Sequence, residues 1–149
     1  MTEVLFYHLE RQPLERALPA LLERCLARGW RAVVQAGSVE RRDAIDAHLW
    51  TYADDAFLPH GTAQDGPAED QPVFVTAEAD NPNGAAVRFL VDRAAPPDLS
   101  GYERAVFLFE GADEEARDEA RLRWKEAKAA GHEVTYWRQS TTGKWEKAG

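Results

Sequence analysis

VLFYHLERQPLERALPALLERCLARGWRAVVQA, residues 4 to 36, holds two short apolar runs on either side of a helical pattern. Val4 to Leu9 is nearly continuous in apolar and aromatic residues, which suits a strand buried on both faces. Pro13 suits the first position of a helix, where its missing N–H costs nothing. Leu14, Leu18, Leu21, Leu22, Cys25 and Leu26 then recur at helical spacing, and Gly29 suits the left-handed residue that follows a helix. Trp30 to Ala36 returns to a strand pattern. A strand, a helix and a second strand in such close succession imply a crossover unit and a parallel pair.

The same alternation continues outward. Ser38 is a plausible N-cap, Glu40 places negative charge in the first turn, and Ile45, Leu49 and Tyr52 extend a second helix to about Tyr52. Trp50 lies beside them and is assigned to the core. Strands are predicted over Pro72–Ala77, Ala86–Val91, Arg104–Phe109 and His132–Arg138. The longest helix is predicted over Ala112–Ala130, with Gly131 ending it. The order β-α-β-α-β-β-β-α-β predicts one three-layer α/β domain over residues 1–149. Its sheet should be mostly parallel, partly mixed and Rossmann-like, with helices on both faces. Gly61–Gln71 and Glu78–Gly84 are predicted as loops, Ser140–Gly143 as a turn, and Lys144-Trp145 as the close of the chain.

The chain has 149 residues, enough for one domain with a hydrophobic core. Hydrophobic residues make up 44 % and charged residues 30 %, a globular rather than disordered balance. No apolar run approaches the roughly 18 residues of a membrane helix. MTEVLFYHLERQ lacks the pattern of a secretory signal, so the expected location is the cytoplasm. The single cysteine, Cys25, falls on the apolar face of the first helix and is expected to be a buried structural thiol. The formal net charge of −8 argues against direct binding of nucleic acid by the chain as a whole.

Catalytic patterns are missing. Phosphate binding after the first strand needs glycines, whose backbone amides approach the anion. This strand is followed by Glu10-Arg11-Gln12-Pro13. Gly143-Lys144-Trp145 lies too near the terminus to open a helix. His8, His48, His60 and His132 are scattered without metal-ligand spacing. His60 is expected to hold a turn by a hydrogen bond. The carboxylate pairs Asp43/Asp46 and Asp54-Asp55 read as solvated surface. No cofactor, metal or catalytic residue is therefore assigned.

The last helix separates its charges. At about 100° per residue, Arg117, Arg121, Trp124, Lys125 and Lys128 share an arc of roughly 100°. Glu114, Glu115, Glu119 and Glu126 fall mostly on the far side. Ala116, Ala120, Ala127 and Ala130 form a small-residue face for packing on a sheet. Four cations beside one large aromatic suit an acidic peptide with an apolar anchor, since arginine binds carboxylates bidentately and lysine adds less directional attraction. Phe107 or Phe109, on the preceding strand, is expected to complete the pocket. A helix laced with surface salt bridges is the competing reading.

SVERRDAIDAHLWTYADDAFLPHG, Ser38 to Gly61, is the most specific string in the chain. The run Leu49-Trp50-Thr51-Tyr52, then Phe57-Leu58-Pro59-His60-Gly61, behind a helix carrying Arg41-Arg42-Asp43, resembles the central segment of the chi subunit of bacterial DNA polymerase III holoenzyme. Val4–Leu9, Gly29–Val34, Arg121–Lys125, Gly131 and Gly143–Trp145 extend the resemblance, which is loosest between Thr62 and Ala105. The resemblance implies a non-catalytic adaptor of replication. Its partners would be the acidic C-terminal tail of single-stranded-DNA-binding protein and, in some lineages, a psi subunit joined to the clamp loader. Nucleic acid would be engaged only indirectly. The family's tail-binding determinants carry over to Arg117, Arg121, Trp124, Lys125 and Lys128, with Trp124 where the family often has Tyr. A second interface is assigned to Trp30, Tyr52, Phe57 and Leu58. The rivals are a degenerate nucleotide- or small-molecule-binding protein and a direct binder of single-stranded DNA.

Overall fold

The computed structural model describes residues 2–10, 12–52, 58–142 and 144–148. Its strands are β1 (Glu3–Leu9), β2 (Ala32–Gln35), β3 (His60–Gly61), β4 (Val73–Thr76), β5 (Val87–Leu90), β6 (Arg104–Glu110), β7 (Glu133–Gln139) and β8 (Trp145–Lys147). Its helices are α1 (Leu14–Ala27), α2 (Val39–Thr51) and α3 (Glu114–Ala129). One sheet runs in the order β3-β4-β2-β5-β6-β1-β7-β8. Every pairing is parallel except β7 with β8. The α/β architecture with a mostly parallel, mixed sheet is the one the strand–helix alternation predicts.

Helix ends follow their local chemistry. The Ser38 side chain accepts from the Arg41 N–H at 3.2 Å, and the Asp113 side chain accepts from Glu115 and Ala116. Pro13 is the N-cap of α1 rather than its first helical residue, and its carbonyl accepts from Arg16 and Ala17. At the other end Gly29, at φ 78°, donates to the Leu26 carbonyl while Trp30 donates to that of Cys25. This pair of bonds satisfies carbonyls that a helix end leaves open.

α1 also contains Pro19, which has no N–H for the carbonyl of Glu15. His48 on α2 takes that place: its Nε2 lies 2.5 Å from the Glu15 oxygen. A helix defect is thereby turned into a contact between the two helices.

Alternation along β1 divides the core. Leu5, Tyr7 and Leu9 face the cluster under α1 and α2, whereas Val4 and Phe6 face the cluster that includes Ala116, Ala120 and Ala127 of α3. Ala130, expected on the packing face, is the exposed C-cap. β2, β4 and β5 are buried along their whole length, as central parallel strands are.

Two predicted loops are better ordered than their composition implies. Gly61–Gln71 contains the second residue of β3 and two single 3₁₀ turns, Ala63–Asp65 and Ala68–Asp70. Thr62 and Asp65 cap the first of these reciprocally. Glu78–Gly84 is held by Arg88, which is fully buried. Arg88 donates to the carbonyls of Glu78 and Asp80, to the Tyr102 hydroxyl, and through Nε and Nη2 to Gln35 Oε1. All five guanidinium N–H groups are used on neutral acceptors, which meets the requirement that a buried charge be fully hydrogen-bonded.

Candidate functional site

The sheet register builds the floor of a cleft. Phe6 stands between Phe107 and Tyr136, and His8 between Phe109 and Arg138, in two adjacent rows across β6, β1 and β7. Residues two apart on a strand share a face, so the side chains of these rows lie on the α3 side of the sheet. α3 crosses above them and seats its small residues Ala116 and Ala120 against the floor. The opening left beside it is a cleft of about 630 Å³. Arg117, Arg121, Trp124 and Lys125 form its helix wall, and Phe6, His8, Phe109, Tyr136 and Arg138 its strand wall.

Four of the five stripe residues therefore share one cavity. Lys128 does not line it; its Nζ sits 5.2 Å from the centre of the Trp124 ring. Trp124 is half-buried, with Phe6 at 5.6 Å and Tyr136 edge-on at 6.1 Å. Phe109 belongs to the cleft. Phe107 does not, since it stacks beneath Phe6 at 4.6 Å.

Charge segregation on α3 survives folding. Arg123, on the other flank, takes Glu119 at 2.7 Å and Glu126 at 2.9 Å. Glu115 pairs with Arg93. Arg121 has only Asp118 at 3.4 Å, with both side chains well exposed. Among the described residues Arg117, Lys125 and Lys128 have no ion pair, and no carboxylate lines the cleft. Salt bridges lace the far side of the helix and leave the cleft side cationic.

The strand wall carries polar groups that the helical pattern did not reveal. His8 Nδ1 is hydrogen-bonded to the Tyr136 hydroxyl, and its Nε2 lies 3.2 Å from Glu10 Oε1. Arg138 donates to that same oxygen through Nε, at 2.9 Å, and through Nη2. Burial holds the His8 ring below the usual histidine range, against the opposing pull of Glu10. The ring has room because residue 111 is glycine: a Cβ there would lie 2.0 Å from His8 Nε2.

The second predicted surface is rearranged. Leu58 is 2 % exposed and belongs to the core. Tyr52 is half-buried with its hydroxyl bonded to Glu23, and Trp30 is half-buried with Arg28 and Arg104 at its ring. Phe57 lies outside the described residues. Trp50, assigned to the core, is instead 53 % exposed. The inward positions of α2 are Ile45 and Leu49, and one further residue turns about 100° away from them. Trp50 packs one face on His60, at 4.4 Å. His60 holds its turn as expected, with Nδ1 on the Leu58 carbonyl. Cys25 is buried, and burial raises its thiol pKa.

The C-terminal ends of β1, β5 and β6, where such sheets often hold nucleotides, are lined by Asp92, Glu110, Asp113 and Glu119. Burial raises the Glu110 carboxyl. Carboxylates repel phosphate, and two of the nearby cations are committed, Arg93 to Glu115 and Arg123 to Glu119.

Fold and site thus define a class: a mostly parallel α/β domain with a cationic, partly aromatic cleft that no carboxylate lines among the described residues. Residues 1–135 match the family model described as DNA polymerase III chi subunit, HolC, and the chain belongs to that family. It is also 29 % identical over 100 residues to a protein of Rickettsia prowazekii (strain Madrid E) described as a probable DNA polymerase III subunit chi. That match takes in 67 % of this chain and 59 % of the relative's length.

Proposed function

We propose that the chain is a non-catalytic accessory subunit of the replicative polymerase assembly, working in the cytoplasm. Its α3 cleft binds the acidic C-terminal tail of single-stranded-DNA-binding protein. The observation that carries this reading is the convergence of Arg117, Arg121 and Lys125 around Trp124, in a cleft that no carboxylate lines among the described residues, on a chain of net charge −8. The tail's carboxylates meet Arg121 and Lys125, and its terminal apolar side chain packs on Trp124 between Phe6 and Tyr136. Lys128 adds charge at the outer face of the indole.

The test is a titration with a short acidic peptide ending in Pro-Phe, followed by tryptophan fluorescence, with the amidated peptide as control. Binding should weaken on amidation. Arg121→Ala should cost about 1–3 kcal/mol, the range for a bond to a charged acceptor. An unchanged affinity in a folded Arg121→Ala variant would remove this residue from the site.

The clamp-loader partner, a psi-like subunit, is assigned to the surface around exposed Trp50. This lies across the sheet from α3, because α2 and α3 cover opposite faces. Trp50→Ala should lower the amount of clamp-loader partner that co-purifies with the chain, and undiminished recovery would discard this surface.

A further inference from the structure

We infer that the strand wall of the cleft is a second recognition element, in which Glu10 occupies Arg138 as an internal carboxylate that an acidic ligand must outcompete. This rests on the reading of the cleft as an acidic-peptide site and adds to it a determinant of which peptides bind.

The two walls differ in charge while sharing one cavity. The helix wall presents Arg117 and Lys125 without ion pairs among the described residues, and Arg121 with one long contact. Just outside the strand wall a single oxygen, Glu10 Oε1, receives two N–H groups of Arg138 and faces His8 Nε2. His8 is locked in turn to the Tyr136 hydroxyl, in a seat that only glycine at position 111 allows. Arg138, Glu10, His8 and Tyr136 therefore form a connected network across β1 and β7. Glu10 is about one-quarter exposed and Arg138 about half, so a ligand in the cleft can reach the pair.

The network has the chemistry of a carboxylate receptor already holding a carboxylate. A ligand with one or two carboxylates is satisfied by the cations of α3 alone and gains nothing from Arg138. A ligand with several carboxylates can place one on α3 and exchange another for Glu10 on Arg138. The bond gained resembles the bond lost, so while Glu10 is present the exchange adds little affinity even for a multiply charged peptide. Glu10 thereby holds down the affinity for highly acidic segments and narrows their advantage over less acidic ones.

The test uses the full chain and two peptides of equal length ending in Pro-Phe, one with three aspartates upstream and one with a single aspartate. Glu10→Gln keeps the side-chain shape, and a thermal melt establishes that the fold is retained. It should raise affinity for the triply acidic peptide by about three- to tenfold, a rim-charge effect, and less for the singly acidic one, so that selectivity between the two widens. Arg138→Gln should lower affinity for the triply acidic peptide. In the Arg138→Gln background Glu10→Gln should have little further effect, because Glu10 acts through Arg138. An equal gain from Glu10→Gln with or without Arg138 would show a general change of field and overturn the inference. Failure of both peptides to bind wild-type protein would instead strike at the peptide-binding reading, whereas normal binding that is lost in Arg121→Ala but indifferent to Glu10 and Arg138 would overturn this inference alone.

Discussion

His8 is a titratable residue of the cleft whose pKa burial lowers from its ordinary value. Tyr136 meets its Nδ1 and Glu10 its Nε2, while Arg138 and Arg117 stand near enough to oppose a charge on the ring. Its pKa is lowered chiefly by burial, which favours the neutral ring. A group whose folded pKa is depressed contributes stability above its ordinary value of about 6.5, and the contribution fades as pH falls toward the folded value. Ligand binding has the opposite sign. Carboxylates brought into the cleft favour the imidazolium, so the complex takes up protons over this window more readily than the free protein. Tail-peptide affinity should be flat above the ordinary histidine value of about 6.5 and rise as pH falls below it, before the peptide's own carboxylates titrate. Isothermal titration at several pH values measures this, and His8→Gln should remove the slope. A slope that survives in His8→Gln would assign the effect to another group.

Pro19 and His48 carry a prediction about how α1 and α2 are joined. Proline at position 19 leaves the Glu15 carbonyl without its helical donor, and the imidazole of His48 supplies one. His48→Ala should therefore destabilise the protein by about 1 kcal/mol, the usual net value of such a bond. In a Pro19→Ala background the backbone N–H returns, and His48→Ala should cost close to nothing. Urea unfolding of the four proteins of this cycle gives the coupling directly, and equal costs in both backgrounds would dismiss it. This linkage was not legible in the sequence, where His48 was only one of four scattered histidines. The main elements were legible because central parallel strands are apolar runs and because Ser38 and the glycines at 29 and 131 mark helix ends. β3 and β8 were missed, since two and three residues are too few to show a period. The candidate site was half legible for a similar reason. A helical period converts spacing into a face, so Arg117, Arg121, Trp124 and Lys125 could be grouped. The strand wall joins residues 128 positions apart, such as His8 and Tyr136, through a β1–β7 pairing that no local pattern announces. The only signal was alternation, Phe6 with His8 and Tyr136 with Arg138, which becomes a site once the two strands are neighbours.

Across the whole molecule, the cleft is a cationic patch on an acidic body, and the two act on an acidic ligand over different distances. The cleft cations touch the ligand, whereas the excess of negative charge that makes the chain −8 overall is spread over the rest of its surface. Ionic strength separates the contributions. At 1 M salt the screening length is about 3 Å, and even contact attraction is weakened. At 0.15 M it is about 8 Å, so the ligand feels the cleft and little else. At 0.01 M it reaches about 30 Å, and the whole acidic surface repels the ligand. Tail affinity should therefore rise steeply as salt is lowered from 1 M to about 0.15 M, then flatten rather than continue to climb. Removing distant carboxylates should restore the climb: Glu69→Gln with Asp70→Asn, in the turn before β4, leaves the cleft untouched but lowers the long-range repulsion. Peptide titrations across this salt range in the wild-type and the doubly substituted chain measure both effects. A wild-type affinity that keeps rising to 0.01 M would mean that the cleft dominates at every distance and that the acidic surface has no influence on the approach of the tail.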